Sequence, residues 1–410
     1  MSDDEGALHE ECRRGRNKDN DMSDRPRILI AGAGIGGLAL AQALRRGGLD
    51  VAVYEQDPTP RIRNQGYRIH IDADGNAALR ACLPETVLDL VRDTSGVNGD
   101  TVAGYTHRLE PLTAQAFPGI PDDEITNVDR NTFRRGLLTG LTDTVRFGRT
   151  VSDYRITESG RVRVEFAEGG SDEGDLLVGA DGVGSAVRRR LVPDATVTDL
   201  GVRCLYGRMT ITDATDALIS EEIDRGFSWA VDETGYFAGL APVRFRSRPE
   251  GASDYLMTTL VATPERFGLS DAELSRLAPE RLWRITVEAT ADWHPALREL
   301  FAHADPDTFF PIAIRAGQRV DPWTPGPVTL LGDAIHTMPP TGGVGANTAL
   351  RDAATLAEEL LSAARSGTSL IDAVAAYERV MLPRGFDTVD SSVAAAGQMF
   401  GTADRQGAMP

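Results

Sequence analysis

Glycine spacing near the start of the chain is typical of a turn that binds a dinucleotide. The apolar run RILIA predicts a buried strand, and it leads directly into Gly32, Gly34, Gly36 and Gly37 and then into a helix pattern. In a G-x-G-x-x-G turn the glycines allow the tight bend, the close approach of a pyrophosphate and the close packing of helix on strand. Free N–H groups and the dipole at the start of the helix favour an anion at this point.

An acidic residue stands where the ribose of a dinucleotide is expected. The next apolar run, VAVYE, ends at Glu55, 18 residues after Gly37. A carboxylate accepts hydrogen bonds from ribose hydroxyls and repels a 2′-phosphate, so the pattern predicts FAD or NAD rather than NADP as the tightly held molecule. The alternative is that the glycines only pack a tight strand–helix turn.

A second candidate site is the stretch GDAIHTMPPTGGVGAN at residues 332–347. A predicted strand ends at Asp333, whose carboxylate suits hydrogen bonds from sugar or ribityl hydroxyls. A Gly-rich turn then opens a helix at about Asn347, and the start of this helix can stabilise negative charge. The alternative for Asp333 is a structural carboxylate that caps the turn, and for His336 the favoured interpretation is a histidine of the core.

The composition excludes several classes of protein. The 410 residues include 43 basic and 61 acidic side chains, and the resulting formal charge of −18 argues against nucleic acid as the main partner. Lys18 is the one lysine, so a pyridoxal phosphate Schiff base, a lysine-type aldolase and a P-loop NTPase are excluded from the folded body. Cys12, Cys82 and Cys204 lack the spacing of a metal site, so we expect no metal and a reducing, cytoplasmic location.

The ends of the chain and its coarse pattern predict several units. Residues 1–25 have no apolar signal-peptide core and predict a disordered tail, with Met22 as an alternative start, and no apolar run is long enough to span a membrane. The expected class is α/β, with a Rossmann-like FAD-binding domain, an inserted β-sheet substrate domain and C-terminal helices. The expected boundaries are 26–199 for the first part of the FAD-binding domain (with an excursion near 64–110), 200–313 for the sheet-rich domain, 314–365 for the return and 366–410 for terminal helices.

Three motifs in this order resemble those of the group A flavin monooxygenases, the FAD-dependent aromatic hydroxylases with the p-hydroxybenzoate hydroxylase fold. They are the glycine turn with Glu55, the Asp181-Gly182 pair in the middle of the chain and the late Gly332-Asp333 pair. The stretch PPTGGVGAN is especially similar to the flavin loop of that family. The resemblance extends from about residue 26 to 365, and it is the set of motifs that is specific.

The resemblance implies a role for each matching residue. Gly32, Gly34, Gly36 and Gly37 would line the ADP half of FAD, and Glu55 would hold its ribose. Further implied cofactor contacts are Arg63 near the pyrophosphate, Arg130 before a helix, Asp181 and Gly182 toward FAD and the nicotinamide donor, Asp333 on the ribityl chain, Gly342, and the backbone of Gly345, Ala346 and Asn347 at the N1/O2 edge of the flavin.

The resemblance also implies the reaction. NADH or NADPH would reduce FAD, O2 would add at flavin C4a, and the hydroperoxide would hydroxylate a small molecule. The substrate would lie between the inserted sheet and the Pro339 loop, with Tyr206 and Arg208 as candidate contacts on one face of a strand. Apolar and aromatic residues around them predict a medium-sized aromatic or polyketide-like substrate, although Phe227, Trp229, Tyr236 and Phe237 also fit a simple core.

Several alternatives remain open at this point. A flavin epoxidase, a Baeyer–Villiger oxygenase or an FAD-dependent reductase could use the same scaffold. A flavin-binding escort protein without turnover is the alternative outside enzymology. The absence of a Tyr-x-x-x-Lys pair disfavours a short-chain dehydrogenase. We expect a monomer or a homodimer.

Overall fold

A computed structural model describes residues 25–60 and 67–400, so Arg63, Cys12 and the expected tail up to residue 24 lie outside the described residues. The described chain forms seventeen strands: β1 Arg27–Ala31, β2 Asp50–Glu55, β3 Arg68–His70, β4 Thr101–Thr106, β5 Pro111–Ala116, β6 Asn127–Asp129, β7 Val145–Phe147, β8 Val151–Ile156, β9 Val162–Phe166, β10 Ser171–Gly174, β11 Leu176–Gly179, β12 Val197–Thr210, β13 Gly226–Val231, β14 Phe237–Val243, β15 Tyr255–Ala262, β16 Phe310–Gly317 and β17 Val328–Leu330.

The same residues form thirteen α-helices: α1 Ile35–Arg46, α2 Ala73–Cys82, α3 Glu85–Asp93, α4 Arg130–Leu137, α5 Ala186–Leu191, α6 Asp213–Asp216, α7 Glu221–Asp224, α8 Asp271–Leu274, α9 Pro279–Ala289, α10 Pro295–Ala302, α11 Asp333–His336, α12 Gly345–Ser366 and α13 Leu370–Phe400. None of these described helices is long and apolar enough to cross a lipid bilayer.

Five parallel strands form the sheet that carries the first glycine turn. Their order is β17-β11-β1-β2-β7. Residues 28–30 of the central strand β1 are fully buried, as expected for a parallel strand that is covered on both faces. Ligands bind such sheets at the carboxyl ends of the strands. Because β17, β11 and β1 are neighbours, the segments that begin at Gly32, Ala180 and Leu331 meet at this one edge.

The helix α1 packs closely against the end of the sheet and against α12. A Cβ atom on Gly36 would lie 2.7 Å from Leu331 Cδ1 and 3.2 Å from the Ala349 carbonyl oxygen. A side chain at this position would require the buried Leu331 to shift and would crowd the Ala349 carbonyl group. The lack of a side chain at Gly36 therefore serves the packing of α1.

A second, seven-stranded sheet has the order β16-β12-β15-β14-β13-β4-β5. Its strands come from residues 101–116, 197–262 and 310–317, so the sheet extends a few residues beyond the expected limits of 110 and 313. The reason is pairing: β5 continues β4 as a hairpin, and β16 runs antiparallel to β12 along most of its length. A parallel pair, β13 with β4, joins the two separate stretches of chain.

The two faces of this sheet differ. On one face, Leu205 and Met209 of β12 belong to a core that includes Leu282 of α9 and Phe301 of α10. The alternate residues of β12, among them Tyr206, point to the opposite face and pack with other apolar groups. This second face is directed toward β3 and β6, because Tyr206 contacts Tyr67 and Tyr255 bonds to Asp129.

Three helical regions have bounds that the sequence patterns do not give. Residues 271–290 form two helices, α8 and α9, because Pro279 lacks an N–H and suits the first position of a new helix. The helix after the Gly-rich turn begins at Gly345 rather than at about Asn347. The stretch after residue 370 is one helix, α13, which contains Pro383.

A fully buried carboxylate joins the loop after β17 to the last two helices. Asp352 of α12 accepts hydrogen bonds from the Gly332 N–H at 3.0 Å and from Arg384 of α13 at 3.0 Å, and its Oδ2 lies 2.5 Å from His336 Nε2. Burial alone would lower the pKa of His336, but the charge and hydrogen bond of Asp352 outweigh it and raise the pKa. His336 is thus a partner of a buried ion pair.

We expect Asp352→Asn to lower the free energy of unfolding by about 3–5 kcal/mol, because it leaves Arg384 and His336 facing an uncharged partner in the interior. Urea denaturation monitored by circular dichroism measures the change. Glu358→Gln, at an exposed position on the same helix, is the matched control and should change the value by less than about 0.5 kcal/mol. Equal effects of the two substitutions would contradict the role given to Asp352.

A second buried acid, Glu378 of α13, has no cation partner among the described residues. Its Oε1 accepts hydrogen bonds from Thr329 Oγ1 at 2.8 Å and from Trp323 Nε1 at 3.0 Å. Burial raises the pKa of Glu378 from 4.5 to about 7, and the two hydrogen bonds only partly oppose this shift. The carboxyl group therefore ionises at lower pH in the unfolded chain than in the folded one.

From this shift we expect the protein to lose stability as the pH rises from about 4.5 to about 7, because the unfolded state releases the proton of Glu378 first. Glu378→Gln removes this loss. The difference in unfolding free energy between variant and wild type should move in favour of the variant by up to about 3 kcal/mol between pH 4.5 and pH 8. Parallel pH profiles of the two proteins would refute the expectation, and Glu358→Gln should leave the wild-type profile unchanged.

Candidate functional site

The turn between β1 and α1 has the geometry of an anion-binding turn. Gly32 has φ of +101°, and a Cβ atom there would lie 2.3 Å from the Ala180 carbonyl oxygen; one on Gly37 would lie 2.3 Å from the Gly32 carbonyl oxygen. By contrast, a Cβ atom on Gly34 would meet nothing within 4 Å. The start of α1 has no side-chain cap and no acid in its first turn. Gly34 therefore faces open space beside uncapped N–H groups, where a pyrophosphate fits.

Glu55 is buried at the end of β2 and directed at this turn. Its Oε2 accepts a hydrogen bond from the Ala33 N–H at 2.9 Å and lies 3.1 Å from Arg134 Nη2, and its Oε1 accepts one from the Asp57 N–H at 2.9 Å. A carboxylate has about four acceptor positions, so capacity remains for a ribose hydroxyl.

Arg134 is a site residue that the sequence patterns did not single out. Besides its contact with Glu55, it donates through Nε to the Ala33 carbonyl oxygen at 2.7 Å. The helix α4 thus holds the glycine turn from outside the βαβ unit. The only sequence signal is its position one helical turn after Arg130.

Arg130 is the first residue of α4 and is directed at Tyr67. Its guanidinium lies 5.6 Å from the centre of the Tyr67 ring, and its backbone N–H donates to the Tyr67 carbonyl oxygen at 3.0 Å. Its Nη1 is buried without a hydrogen-bond partner among the described residues. A buried donor without a partner is rare in proteins, and a ligand with acceptor oxygens would satisfy it.

The Asp181-Gly182 pair follows β11. Asp181 Oδ2 accepts a hydrogen bond from the Ala186 N–H at 2.8 Å, so this oxygen stabilises the start of α5. Its Oδ1 is buried and has no partner among the described residues. Burial raises the pKa of Asp181. One oxygen of this carboxylate is therefore structural and the other is available to a ligand.

Asp333 faces a cleft at the end of β17. Its side chain is exposed to that cleft, and neither carboxylate oxygen accepts a hydrogen bond from a described residue. The protein that surrounds the cleft desolvates the carboxylate and raises its pKa, which the charges of His336 and Arg130 partly oppose. Asp333 is thus free to accept hydroxyl groups of a ligand, whereas the neighbouring His336 is used inside the protein.

The Gly-rich turn after Pro339 leads to the uncapped start of α12. This helix has no side-chain cap and no acid in its first turn, which contains Gly345 and Ala346. The side chain of Asn347 does not face the cleft, because it bonds to the His70 carbonyl oxygen at 3.0 Å, to the Gly343 carbonyl oxygen at 3.0 Å and to the Asp72 N–H at 3.1 Å. These bonds fix the turn, in which Gly342 has φ of +79°, against β3.

Aromatic side chains of the seven-stranded sheet meet the cleft at Tyr67. Tyr206 is stacked on Phe310 at 5.6 Å between ring centres and lies 5.2 Å from Tyr67. Arg208, two residues along β12, lies 5.4 Å from the centre of the Tyr255 ring. Pro339 is buried in the loop below.

The other aromatic residues considered from the sequence divide into two groups. Trp229 packs on Phe237 at 5.9 Å on the face of the sheet that includes Tyr206. Tyr236 instead contacts Phe267 and donates its hydroxyl to the Arg266 carbonyl oxygen, away from the cleft. Tyr236 is therefore not part of the site.

The residues present fit an FAD molecule. The open space at Gly34, the acceptor capacity of Glu55, the unpartnered Asp181 Oδ1 and the free carboxylate of Asp333 lie at or just after the carboxyl ends of parallel strands, and the unpartnered Arg130 Nη1 is at the start of α4. They offer N–H groups, a cation and carboxylates, as an extended dinucleotide with phosphates and hydroxyls requires.

Two family models match segments of the chain that contribute to this site. A model described as an FAD binding domain matches residues 139–392, and one described as an NAD(P)-binding Rossmann-like domain matches residues 30–77. The dual O-methyltransferase/FAD-dependent monooxygenase CTB3 of Cercospora beticola is 33% identical over 408 residues, which cover 91% of this chain and 46% of that protein. Chloroplastic zeaxanthin epoxidase of Oryza sativa subsp. japonica is 30% identical over 386 residues, which cover 88% of this chain and 53% of that protein. The chain thus spans about half the length of these curated relatives.

A solved structure agrees with these matches. A protein of Photorhabdus luminescens subsp. laumondii TTO1, described as an FAD-containing monooxygenase, superposes with a TM-score of 0.80 at 31% sequence identity, over 92% of this chain and 98% of that one. The FAD binding domain model alone covers more than half of the chain. The chain therefore belongs to the group A family of FAD-dependent monooxygenases.

Proposed function

We propose that the protein is a monooxygenase that uses FAD, NADH or NADPH, and O2 to hydroxylate a medium-sized aromatic or polyketide-like molecule. The observation that carries the proposal is the position of Tyr67. Its ring contacts Tyr206 and Phe310 of the seven-stranded sheet, and the charges of Arg130 and Asp333 both act on its hydroxyl. An aromatic-lined surface therefore adjoins the flavin-binding loops directly.

The residues of the chain would hold FAD along this edge. The α1 N-terminus at Gly34 would bind the pyrophosphate, Glu55 the ribose, and Asp333 the ribityl hydroxyls. Arg130 and the unpartnered oxygen of Asp181 would contribute further polar contacts, and the expected contact at Arg63 remains a proposal. When bound, FAD supplies the redox chemistry with the nicotinamide donor and O2.

The uncapped start of α12 would stabilise negative charge next to the flavin ring, since its N–H groups at Gly345 and Ala346 have no acid or side-chain cap nearby. Tyr206 and Phe310 would exclude water and orient an aromatic ring by stacking. Exclusion of water from the cleft strengthens each of these electrostatic contacts.

One observation favours an epoxidase as a second candidate. Zeaxanthin epoxidase is similar over most of this chain, and its name states an epoxidation. The same residues would hold FAD in either case. Product structure therefore has to distinguish the two reactions.

The first test is spectroscopic. The purified protein should bind FAD, and without oxygen NADH or NADPH should bleach the flavin absorbance. With oxygen, an aromatic substrate found in a panel should speed donor oxidation and gain one oxygen atom, and nuclear magnetic resonance of the product should show a hydroxyl group. An epoxide product would favour the second candidate. A protein that cannot be loaded with FAD would refute the proposal, and bound FAD that neither donor reduces would favour an escort role.

A substitution at Gly34 should separate cofactor binding from folding. Gly34 has an ordinary φ of −74° and open space around it, so Gly34→Val should fold normally, yet its side chain would occupy the position proposed for the pyrophosphate. We expect FAD affinity to fall by about 100-fold or more, measured by quenching of FAD fluorescence. Thermal unfolding of the flavin-free protein should change little.

The matched control is Gly326→Val, because Gly326 also has no atom within 4 Å of its ideal Cβ position but lies before β17. This variant should bind FAD as the wild type does. Normal FAD binding by Gly34→Val would contradict the assignment of the α1 turn to the pyrophosphate.

A further inference from the structure

The strand β5 is an open edge of the seven-stranded sheet. Among the described strands it pairs only with β4, and all six of its residues, Pro111–Ala116, are exposed. The opposite edge strand, β16, is covered, since its Gly317 N–H donates to the Thr337 carbonyl oxygen at 2.8 Å and the strand contacts α11 and α13. A free edge such as β5 presents unpaired N–H and C=O groups to another strand.

This edge lacks the charged side chains that usually protect an open strand. Residues 111–121, PLTAQAFPGIP, contain no acidic or basic side chain, although the whole chain has a formal charge of −18. Two large apolar side chains face water here, because Leu112 is 52% exposed and Phe117 is 41% exposed. Two molecules with the same large charge repel each other least where neither surface is charged. The uncharged edge is therefore a surface on which two copies of this chain can meet.

The backbone groups that point away from the sheet belong to Ala114 and Ala116. The Phe117 N–H donates to the Asp100 carbonyl oxygen at 2.6 Å, and β5 runs antiparallel to β4. Every second residue back from Phe117 therefore bonds toward β4, and the residues between them bond outward. The N–H and C=O groups of Ala114 and Ala116 thus have no partner in the described sheet. Pro118 has no N–H, so the free edge ends at this residue.

We propose that β5 pairs with β5 of a second copy of this chain, antiparallel and across a two-fold axis, so that the dimer has one continuous sheet. Ala114 of each copy lies opposite Ala116 of the other, and their outward groups form four hydrogen bonds. Gln115 lies opposite Gln115 of the other copy, at the axis. A shift of two residues in register would place an alanine opposite Pro118 or opposite Leu112, the extra residue of the bulge in β5.

The same register gives partners to the two exposed apolar side chains. Opposite residues of an antiparallel pair point to the same face of the sheet. Phe117 therefore packs on Thr113 of the other copy, and Leu112 lies beside Pro118 of the other copy. Both side chains lose contact with water when the dimer forms, which favours association.

The charges that flank β5 are complementary in this arrangement. Arg108, in the turn before β5, is exposed and makes no ion pair within residues 25–60 and 67–400. Asp122 and Asp123, which follow the uncharged stretch, are also exposed. Antiparallel pairing turns the Arg108 end of one copy toward the acidic end of the other. Opposite charges therefore approach each other at both ends of the interface, which favours this orientation.

The dimer should be reversible and closed. A contact built on one short strand is small beside a standard interface of about 1,600 Å², so we expect a Kd of roughly 10–100 µM. Two copies use up both open edges, since β16 is covered, and no longer assembly follows. Sedimentation velocity of the full chain loaded with FAD should show monomer at about 1 µM and mostly dimer at about 500 µM.

Gln115 offers the sharpest test because it lies opposite itself. Gln115→Lys and Gln115→Glu each place like charges face to face and should weaken dimerisation at least about tenfold. An equimolar mixture of the two variants should form a mixed dimer more tightly than either variant associates alone, which a folding defect would not produce. Gln398→Lys, the same change at an exposed position of α13, is the matched control and should dimerise as the wild type does.

Amide hydrogen exchange locates the contact. The peptide that contains Ala114 and Ala116 should exchange more slowly at the higher protein concentration than at the lower one. A wild-type protein that stays monomeric at the highest concentration would overturn the proposal. A dimer that Gln115→Lys leaves intact would also overturn it, and so would a mixture of the two variants that associates no better than each alone, because the copies would then meet elsewhere.

Discussion

The buried carboxylate of Asp352 is the contact on which the geometry of the loop after β17 depends. It accepts the N–H of Gly332, the residue just before Asp333, and it binds His336 three residues after Asp333. The side chain of Asp352 therefore holds the short helix α11 at both its start and its end. Because His336 supplies the internal ion pair, Asp333 is left without an internal partner and faces the cleft. The same carboxylate binds Arg384, so the position of α13 is coupled to that of the loop.

The cleft has two parts with different chemistry. On the side of the parallel sheet, the ligand-facing groups are uncapped helix starts, the carboxylates of Glu55 and Asp333, and Arg130, which suit phosphates and hydroxyls. On the side of the seven-stranded sheet they are stacked aromatic rings with unpaired guanidinium groups. Tyr67 belongs to both parts, since it contacts Tyr206 and lies under Arg130. Tyr67, the residue just before β3, therefore connects the polar part of the cleft to its aromatic part.

The sequence allowed accurate prediction where the constraint is local. The parallel strands, the turn at Gly32 and Gly37 and the loop at Asp333 depend on glycine spacing and on apolar runs within about 30 residues, and the class and family inferred from them are confirmed. The cofactor contacts inferred for individual residues, including Arg63 and Asp181, stay predictions.

Contacts between distant segments could not be predicted in the same way. Arg134 meets Ala33 across about a hundred positions, and Arg208 reaches Tyr255 because β12 and β15 pair in the seven-stranded sheet. Periodicity carries no information about such partners. It also could not show that β4 joins β13 in parallel, or that the side chain of Asn347 would fix the turn by bonding to the backbone of His70, Gly343 and Asp72.

The last helix connects separate parts of the structure. Its 31 residues, Leu370–Phe400, would extend over about 46 Å. Arg384, near the middle of the helix, contacts Asp352, and the ring of Phe400 at its end meets Phe237 of the seven-stranded sheet edge-on at 5.4 Å. This one helix therefore contacts both α12, through Asp352, and the seven-stranded sheet, through Phe237. Pro383 has no N–H to donate to the preceding turn, so the helix lacks one backbone hydrogen bond at this point. The missing backbone donor at Pro383 and the contact of Arg384 with Asp352 are therefore at adjacent residues, so the interruption of the helix lies next to the network that holds the loop after β17.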